Sequence, residues 1–387
     1  VAAAMADIHS GNVIAEMTAM NSCRKYGSDV ISRIQAAAEG KSEDMRTLLR
    51  HDIAGLVNGL IISADRKAER IVISGNTAMI HTLMGYDMSG LGKYPYNTFS
   101  TDAVEDTYGN IVGGSQKFLE NVKVYIIPGI SAFVGGDIVS GLYHIAGKDI
   151  DTGCFLFLDL GTNGEMAVAD SGHLLVSSAA AGPAFEGGHL SSGTGSIPGA
   201  ISHVLIKDRS DVKVHTVNDM PPTGICGSGV IETVSELLKK GFLERDGHMA
   251  DSMNGSFVLA RRRDGSLITF TQKDVREVQL AKAAVRAGLE MLMKYAGISE
   301  NDISKFYIAG GFGFNIDSSA AADIGLIPEK LRFKVESVGN ASLLGALDVL
   351  CDENSHPDLY GIVGRAVNTD LADDGCFQQE YFKYMDF

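Results

Sequence analysis

Long apolar runs are absent from this 387-residue sequence, and its opening residues do not have the composition of a signal peptide. A helix that crosses a bilayer needs about 20 consecutive apolar residues, and a signal peptide needs a basic segment followed by an apolar one. We therefore expect a protein of the cytoplasm that does not bind membranes.

Basic charge is also scarce. The chain has 33 Lys and Arg residues against 48 Asp and Glu residues, which gives a formal net charge of -15. A phosphate backbone or an anionic lipid surface would repel such a protein unless a local basic patch outweighed the average. The sequence contains no patch of that kind, so nucleic acid is not an expected partner.

Cysteine is sparse and scattered. The five cysteines show no C-x-x-C pair and do not reach the density of a secreted disulfide scaffold; they are Cys23, Cys154, Cys226, Cys351 and Cys376. Such a distribution is typical of reduced thiols in a cytoplasm. Cys226 lies among glycines and is expected to be a small packed residue rather than a redox centre.

The sequence does contain an internal repeat. The strings VAAAMADIHSGNVIAEMTAMN and EMAVADSGHLLVSSAAAG each predict a strand, a Ser-Gly turn and a second strand. Because Val1 falls inside the first of these strands, we expect the natural N-terminus to lie upstream.

The repeat extends to later segments of each half. A buried strand runs into a glycine turn and a helix in RIVISGNTAMIHTLM and again in KFYIAGGFGFNID. Glycine-rich helix starts follow, one around Asp137 and one around Gly339. Ordered repetition on this scale predicts two similar α/β domains, with a boundary at about residues 147–153.

The string FLFLDLGTNGE places an aspartate at the end of a buried strand, directly before a glycine turn. Free backbone N–H groups in such a turn can cradle phosphate oxygens, and glycines let the backbone approach closely. The candidate residues for this contact are Gly161, Thr162, Asn163 and Gly164. Asp159 could hold Mg²⁺, usually through water. The alternative is an ordinary β-hairpin turn next to an aspartate.

A second glycine turn, in YIAGGFG, follows another apolar strand. Gly310, Gly311 and Phe312 would suit a flat nucleotide that lies against backbone and an aromatic edge. A tight connection between strand and helix, without any ligand, is the alternative.

Apolar residues at helical spacing predict a long helix in TQKDVREVQLAKAAVRAGLEMLMKYAG, and Gly297 supplies its stop. Gln279 and Lys282 are three residues apart on that helix and could reach one ligand. For an isolated lysine, a solvated surface position is the competing expectation.

The string GICGSG begins an amphipathic helix. The unpaired N–H groups at Gly227, Ser228 and Gly229 could bind a phosphate. A glycine-rich helix start without a ligand is an equal alternative.

The order of these motifs resembles the superfamily of actin, the sugar kinases and the Hsp70 ATPases. The resemblance implies two RNase H-like domains with ATP in a cleft between them. We assign residues 1–148 to the first domain, 149–351 to the second and 352–387 to a C-terminal extension. FLDLGTNGE resembles the second phosphate loop and FYIAGGFG the adenosine motif, while GGDIVSG and GNASLLGA, which includes Gly339, resemble the two connecting segments. The first phosphate loop is absent from these residues.

Longer strings give a closer resemblance, to the ATPase part of the reductive activators of corrinoid proteins. They are NSCRKYGSDVISRI, ISGNTAMIHTLMG, DLGTNGEMAVA, AAGPAFEGGHLSSG, TGICGSGVIETVSELL, REVQLAKAAVRAG and IAGGFGFNID. The resemblance implies ATP and Mg²⁺ as cofactors and ATP-dependent reduction of Co(II) to Co(I).

The same resemblance implies partners. These are a corrinoid protein, either a corrinoid iron-sulfur protein or the corrinoid subunit of a methyltransferase, an electron donor, and a second copy in a homodimer. Members of the family carry a [2Fe-2S] domain ahead of this region. The five cysteines here do not have the plant-type spacing for such a cluster, so it is expected only upstream.

Two other function classes stay open. A small-molecule kinase of the same superfamily would need a base beside an acceptor pocket, and Asp137 and Glu186 are the candidate bases. Either carboxylate could instead be a helix cap or a surface group. The third class is a scaffold or filament protein that binds nucleotide without chemistry on a substrate.

Overall fold

The computed structural model describes residues 1–27, 29–114, 116–146, 153–310, 316–352, 354–371 and 375–387. Its strands are β1 Ala2–Ala6, β2 Val13–Thr18, β3 Arg70–Ile73, β4 Val104–Thr107, β5 Lys123–Ile126, β6 Phe155–Leu160, β7 Gly164–Asp170, β8 His173–Ala179, β9 Ala200–Ile206, β10 Val212–Thr216, β11 Gly224–Ile225, β12 Ser256–Arg261, β13 Leu267–Thr271, β14 Lys305–Ala309, β15 Val335–Gly339 and β16 Ala366–Asn368. Its α-helices are α1 Val30–Ala36, α2 Ser42–Ala64, α3 Thr77–Met84, α4 Tyr108–Ile111, α5 Gly136–Ala146, α6 Gly227–Lys239, α7 Gln272–Ala296, α8 Ser318–Asp323, α9 Ala341–Cys351, α10 His356–Arg365 and α11 Gly375–Lys383.

The chain divides into two compact units. Unit 1 comprises residues 1–150 and 341–368, and unit 2 comprises residues 151–340 and 369–387. Each unit contains both helices and strands, as the α/β prediction requires. None of the helices in the described ranges combines the length and apolarity that crossing a membrane requires.

Unit 1 contains two small sheets. β1 and β2 form the predicted antiparallel hairpin, whose register shifts between Met5 and Ala6. The other sheet has the order β3-β5-β4, with β3 parallel and β4 antiparallel to β5. Apolar side chains from α2, α3 and β5 close over this sheet in a core that includes Met45, Leu83 and Ile126. The predicted turn from strand to helix after β3 is confirmed, with Asn76 as the N-cap of α3.

Helices α5 and α9 pack closely within unit 1. A β-carbon at Gly345 would overlap with the carbonyl oxygen of Ser140, so the two backbones touch only because residue 345 is a glycine. The Ser140 hydroxyl donates to the Ser342 carbonyl at 2.8 Å, and the His144 ring lies 2.7 Å from the Asp348 carboxylate. These two helices correspond to the connecting segments that the sequence indicated.

The main sheet of unit 2 runs in the order β15-β14-β6-β7-β8. β14 is parallel to both β15 and β6, whereas β6, β7 and β8 are successive antiparallel neighbours. The second predicted hairpin is thereby confirmed. Leu156, Phe157 and Leu158 are all buried in one continuous run of β6, which is typical of a strand covered on both faces.

Helix α7 packs against β7 and β8 and carries a long buried stripe that includes Val278, Val285 and Leu292. Thr271 and Asp274 form a capping box at its start, and Gly297 ends it with a left-handed conformation. The helix predicted from apolar spacing is therefore confirmed at both ends.

Candidate functional site

Three parallel strands bring candidate residues to one edge of the unit 2 sheet. Asp159 near the end of β6 lies opposite Ala309 at the end of β14. The N–H of Gly310 donates to the carbonyl of Gly339 at the end of β15, at 3.0 Å. Ligands of α/β proteins bind at the carboxyl ends of such strands. The sheet therefore collects Asp159, Gly310 and Gly339 where a nucleotide is expected.

The glycine turn that links β6 to β7 presents its backbone at this edge. The N–H of Gly161 donates to the carbonyl of Asn163 at 2.9 Å, and Leu160 pairs with Gly164 across the turn. Within the described residues, the N–H groups of Thr162 and Asn163 have no protein acceptor. Two free donors on a tight turn form a suitable contact for phosphate oxygens.

Close backbone packing explains two of the glycines. Gly310 has a φ of +117°, and a β-carbon there would overlap with the Leu160 carbonyl oxygen. A β-carbon at Gly164 would lie 3.0 Å from a methyl carbon of Val285 on α7. Gly310 thus lets the ends of β14 and β6 pack closely, and Gly164 lets the start of β7 pack on α7; both are structural needs that exist before any ligand binds.

Glu186 meets the phosphate-loop candidate directly. It ends a short helical turn, Pro183–Glu186, which contacts both α6 and α7 and is anchored by the buried Phe185 ring. The Thr162 hydroxyl donates to the Glu186 carboxylate. The structure thus joins a predicted catalytic carboxylate to the predicted phosphate loop.

Gln279 and Lys282 are both buried on α7, so the expectation of a solvated lysine is wrong. The Gln279 amide donates to the Asp246 carbonyl at 3.0 Å, and its oxygen accepts from Arg276 at 3.0 Å. A β-carbon at Gly247 would overlap with the Gln279 side chain. The two residues lie on one turn of α7 but have different protein partners.

Lys282 is only 1% exposed. Its ammonium donates to the carbonyl of Asp386 and lies 5.4 Å from the centre of the Phe387 ring. The pKa of Lys282 is lowered to about 7, chiefly by burial and also by the charges of Arg286 and Arg245, while the charge of Asp386 acts in the opposite direction. A cation in this position would gain from an anionic or oxygen-rich ligand.

Comparison with protein families decides where the chain belongs. Residues 153–387 match the family model described as the C-terminal domain of RACo, the ASKHA domain. The chain belongs to the RACo family. Residues 1–147 match the RACo middle region, so the two matches follow one another along the chain.

Individual relatives agree with this assignment. The corrinoid activation enzyme RamQ of Eubacterium limosum is 30% identical over 402 residues, which cover 97% of this chain and 66% of the relative. A Methanosarcina barkeri protein named [Co(II) methylated amine-specific corrinoid protein] reductase is 27% identical over 325 residues, covering 76% of this chain and 58% of the relative. A solved reductive activator for a corrinoid, iron-sulfur protein superposes with a TM-score of 0.91 at 29% identity. That match covers 100% of this chain and 64% of the solved one. The chain thus spans less than two thirds of the length of these relatives.

Asp137 of this RACo-family chain lies in unit 1, in the first turn of α5. Burial raises the pKa of its carboxyl to about 6, although hydrogen bonds from backbone N–H groups act in the opposite direction. One of these bonds comes from the Ile138 N–H at 3.0 Å. A carboxyl with this pKa can exchange a proton near neutral pH, and its role stays a prediction.

The N-terminus of α6 contains Gly227, Ser228 and Gly229, all buried. A β-carbon at Gly229 would overlap with the Ile201 carbonyl oxygen of β9, and the Ser228 hydroxyl lies 3.5 Å from the Cys226 sulfur. Close packing on β9 accounts for Gly229, and a phosphate contact at this helix start stays a prediction.

Two predicted adenosine contacts, Gly311 and Phe312, lie outside the described residues. The described ranges contain no group of three or more His, Cys, Asp or Glu side chains that could hold a metal ion. Asp159 lies opposite Glu165 across β6 and β7. A metal that relied on Asp159 would take most of its ligands from phosphate and water, as Mg²⁺ commonly does.

Sequence reasoning missed the surroundings of Lys282. Arg286 stands one helical turn further along α7, a spacing that could have signalled a basic pair. Arg245 and residues 384–387 come from distant parts of the chain. No local pattern connects them to Lys282.

Proposed function

We propose that this RACo-family chain is the nucleotide-binding and partner-binding part of an ATP-dependent reductive activator that returns a corrinoid from Co(II) to Co(I). The observation that carries the proposal is the convergence of Asp159, Gly310 and Gly339 at the carboxyl edge of the unit 2 sheet. The names of the relatives support the corrinoid protein as partner.

The site fits a magnesium nucleotide. The N–H groups of Thr162 and Asn163, which have no acceptor in the part of the chain that the structure describes, would bind phosphate oxygens. Asp159 would orient Mg²⁺ through its water shell, and Glu186 would position the Thr162 hydroxyl. Bound ATP supplies the free energy of hydrolysis, while these residues bind and orient its phosphates.

The redox step transfers one electron. Co(II) would gain the electron and become Co(I); the electron would come from a reduced [2Fe-2S] centre outside this chain, which an external donor would then reduce again. Because this transfer is uphill for physiological reductants, ATP must favour one state of the complex between activator and corrinoid protein. A ligand achieves this only through different affinities for the two states. We also propose that the protein forms a homodimer and that a separate electron donor acts with it.

The site assignment is tested by Asp159→Asn in the full-length natural protein. The change keeps the shape of the side chain but removes its charge. We expect Mg²⁺-dependent ATP turnover, measured with a Co(II) corrinoid protein present, to fall at least about tenfold. A tenfold fall corresponds to an increase of about 1.4 kcal/mol in the activation free energy.

Asp170→Asn is the matched control. Asp170 ends β7, at the other end of that strand from the candidate phosphate loop, and accepts a hydrogen bond from the adjacent Ser171. Turnover should stay unchanged in this variant. Normal turnover in Asp159→Asn would refute the assignment, and phosphorylation of a sugar or carboxylic acid by the unaltered protein would favour the kinase.

A further inference from the structure

A buried ammonium in unit 2 makes its hydrogen bond to a neutral acceptor. Lys282 donates to the peptide carbonyl of Asp386, and no ion pair among the described residues includes it. Burying a cation that forms no ion pair is costly, and the nearby Asp386 charge offsets only part of that cost, because the pKa of Lys282 is still lowered. The pocket around Lys282 is therefore better suited to an oxygen-rich or anionic ligand than to the group that now fills it.

Two arginines increase the positive charge of this pocket. Arg286 lies against the Tyr384 ring, with 4.7 Å between guanidinium and ring centre, and is paired with Glu290 at 2.9 Å. The backbone carbonyl of Arg245 accepts a hydrogen bond from the Phe387 N–H at 2.7 Å, and the Arg245 guanidinium donates to the Asp323 carbonyl at 3.1 Å. Both arginines lower the pKa of Lys282, whereas the Asp386 charge raises it, so charges of both signs reach the ammonium.

Residues 384–387, which we call the plug segment, cover this pocket. The segment follows α11, which packs on α7 through partly buried side chains such as Tyr381 and has no fully buried residue in the described structure. The Phe387 ring is its anchor, because it is buried and joins the apolar core of unit 2. Because Phe387 is the one fully buried residue of residues 384–387, we expect the plug segment to open at a lower free-energy cost than the core elements of unit 2.

The plug segment offers the same kinds of group as a nucleoside. Its carbonyl at Asp386 accepts from the Lys282 ammonium, and its flat ring at Phe387 lies beside that ammonium. A ribose oxygen could accept the same hydrogen bond from the ammonium, and a planar base could lie beside the ammonium where the phenyl ring now lies. Lys282 and the neighbouring Gln279 are also the α7 residues that the sequence indicated for nucleotide contact.

We propose that the plug segment is an autoinhibitory competitor, which occupies the Lys282 pocket and must leave when an adenine nucleotide binds there. The inference rests on the proposed function, because it takes nucleotide as the ligand of unit 2. Competition of this kind lowers apparent affinity by the fraction of molecules in which the pocket is open.

Phe387→Ala tests the competition in the full-length natural protein. Loss of the anchor should open the pocket, so calorimetry with Mg-ADP should give a Kd at least about threefold lower than in the unaltered protein. Removal of residues 385–387 should act in the same direction. Phe382→Ala is the control, because Phe382 is on α11 yet 71% exposed, and its Kd should not change.

Hydrogen exchange of the unaltered protein gives a second readout that does not depend on how the variants fold. Mg-ADP should speed amide exchange in the plug segment, since displacement breaks the bond from the Phe387 N–H to the Arg245 carbonyl. Slower exchange in this segment on adding Mg-ADP would overturn the inference.

The outcomes separate the two proposals. If all forms bind Mg-ADP with equal affinity and the exchange of the plug segment is unchanged, the autoinhibitory role is refuted while nucleotide binding stands. If neither the unaltered protein nor any variant binds nucleotide, the proposed function is refuted and the competition with it.

Discussion

A lysine ammonium buried on α7 makes the stability of this chain depend on pH. The pKa of Lys282 is about 7 in the folded state against 10.5 ordinarily. Between these two values the unfolded chain binds more protons than the folded chain. Linkage therefore requires that the contribution of Lys282 to stability improves as pH rises from about 7 to 10, and that its full cost is present below pH 7.

Lys282→Met should remove this dependence, because methionine has a similar length and no charge. We expect the free energy of unfolding of the unaltered protein to rise relative to the variant by up to about 1.4 kcal/mol per pH unit across that range. Urea unfolding at pH 7, 8, 9 and 10 measures the difference. Lys240→Met, at an exposed position after α6, should give a constant difference, and a constant difference for Lys282→Met would disprove the shift.

Residue types predicted the turn between β6 and β7 better than they predicted its surroundings. An aspartate at a strand end followed by Gly161 and Gly164 is a local pattern, and the turn is where the sequence indicated it. The contact of Thr162 with Glu186 joins residues 24 apart, and that of Lys282 with Asp386 joins residues 104 apart. Contacts of this kind arise from tertiary packing, which leaves no periodic signal in the sequence.

Among the elements, α5 and α9 approach each other so closely that no side chain fits at residue 345. Gly345→Ala should lower the free energy of unfolding by about 1–3 kcal/mol, because the new methyl group would push against the Ser140 carbonyl and cannot rotate away. Urea unfolding of the two proteins under identical conditions measures this cost.

Gly361→Ala is the matched control for that change. Gly361 lies inside α10, and a β-carbon there would meet no atom within 4 Å. Alanine has the higher helix propensity, so stability should rise by roughly 0.5–1 kcal/mol. The same substitution should thus have opposite effects at two helix positions, and equal effects would contradict the close packing of α5 on α9.

Elements with a strong period were predicted well, and their assembly less so. The 25 residues of α7 and both hairpins follow from apolar spacing and from Ser-Gly and Gly turns. The first hairpin nevertheless forms a sheet of its own in unit 1, while its counterpart joins the main sheet of unit 2. A hairpin pattern specifies which two neighbouring strands pair. Which further strands join the hairpin in a sheet depends on residues far along the chain.

At the scale of the whole molecule, the acidic composition and the family assignment favour a protein partner over nucleic acid. A net charge of -15 opposes contact with phosphate backbones. Residues 1–147 and 153–387 match the middle and ASKHA regions of RACo. In the proposed account these regions bind nucleotide and a corrinoid protein, and the electron enters through a [2Fe-2S] centre.

The visible spectrum of the corrinoid tests this central claim most directly. The full-length natural protein is mixed anaerobically with a low-potential reductant, Mg-ATP and a Co(II) corrinoid protein, and parallel samples omit ATP or replace it with a non-hydrolysable analogue. The account predicts that the Co(I) spectrum appears only with hydrolysable ATP. Co(I) formation at the same rate without ATP, or its absence with every corrinoid protein tried, would contradict it.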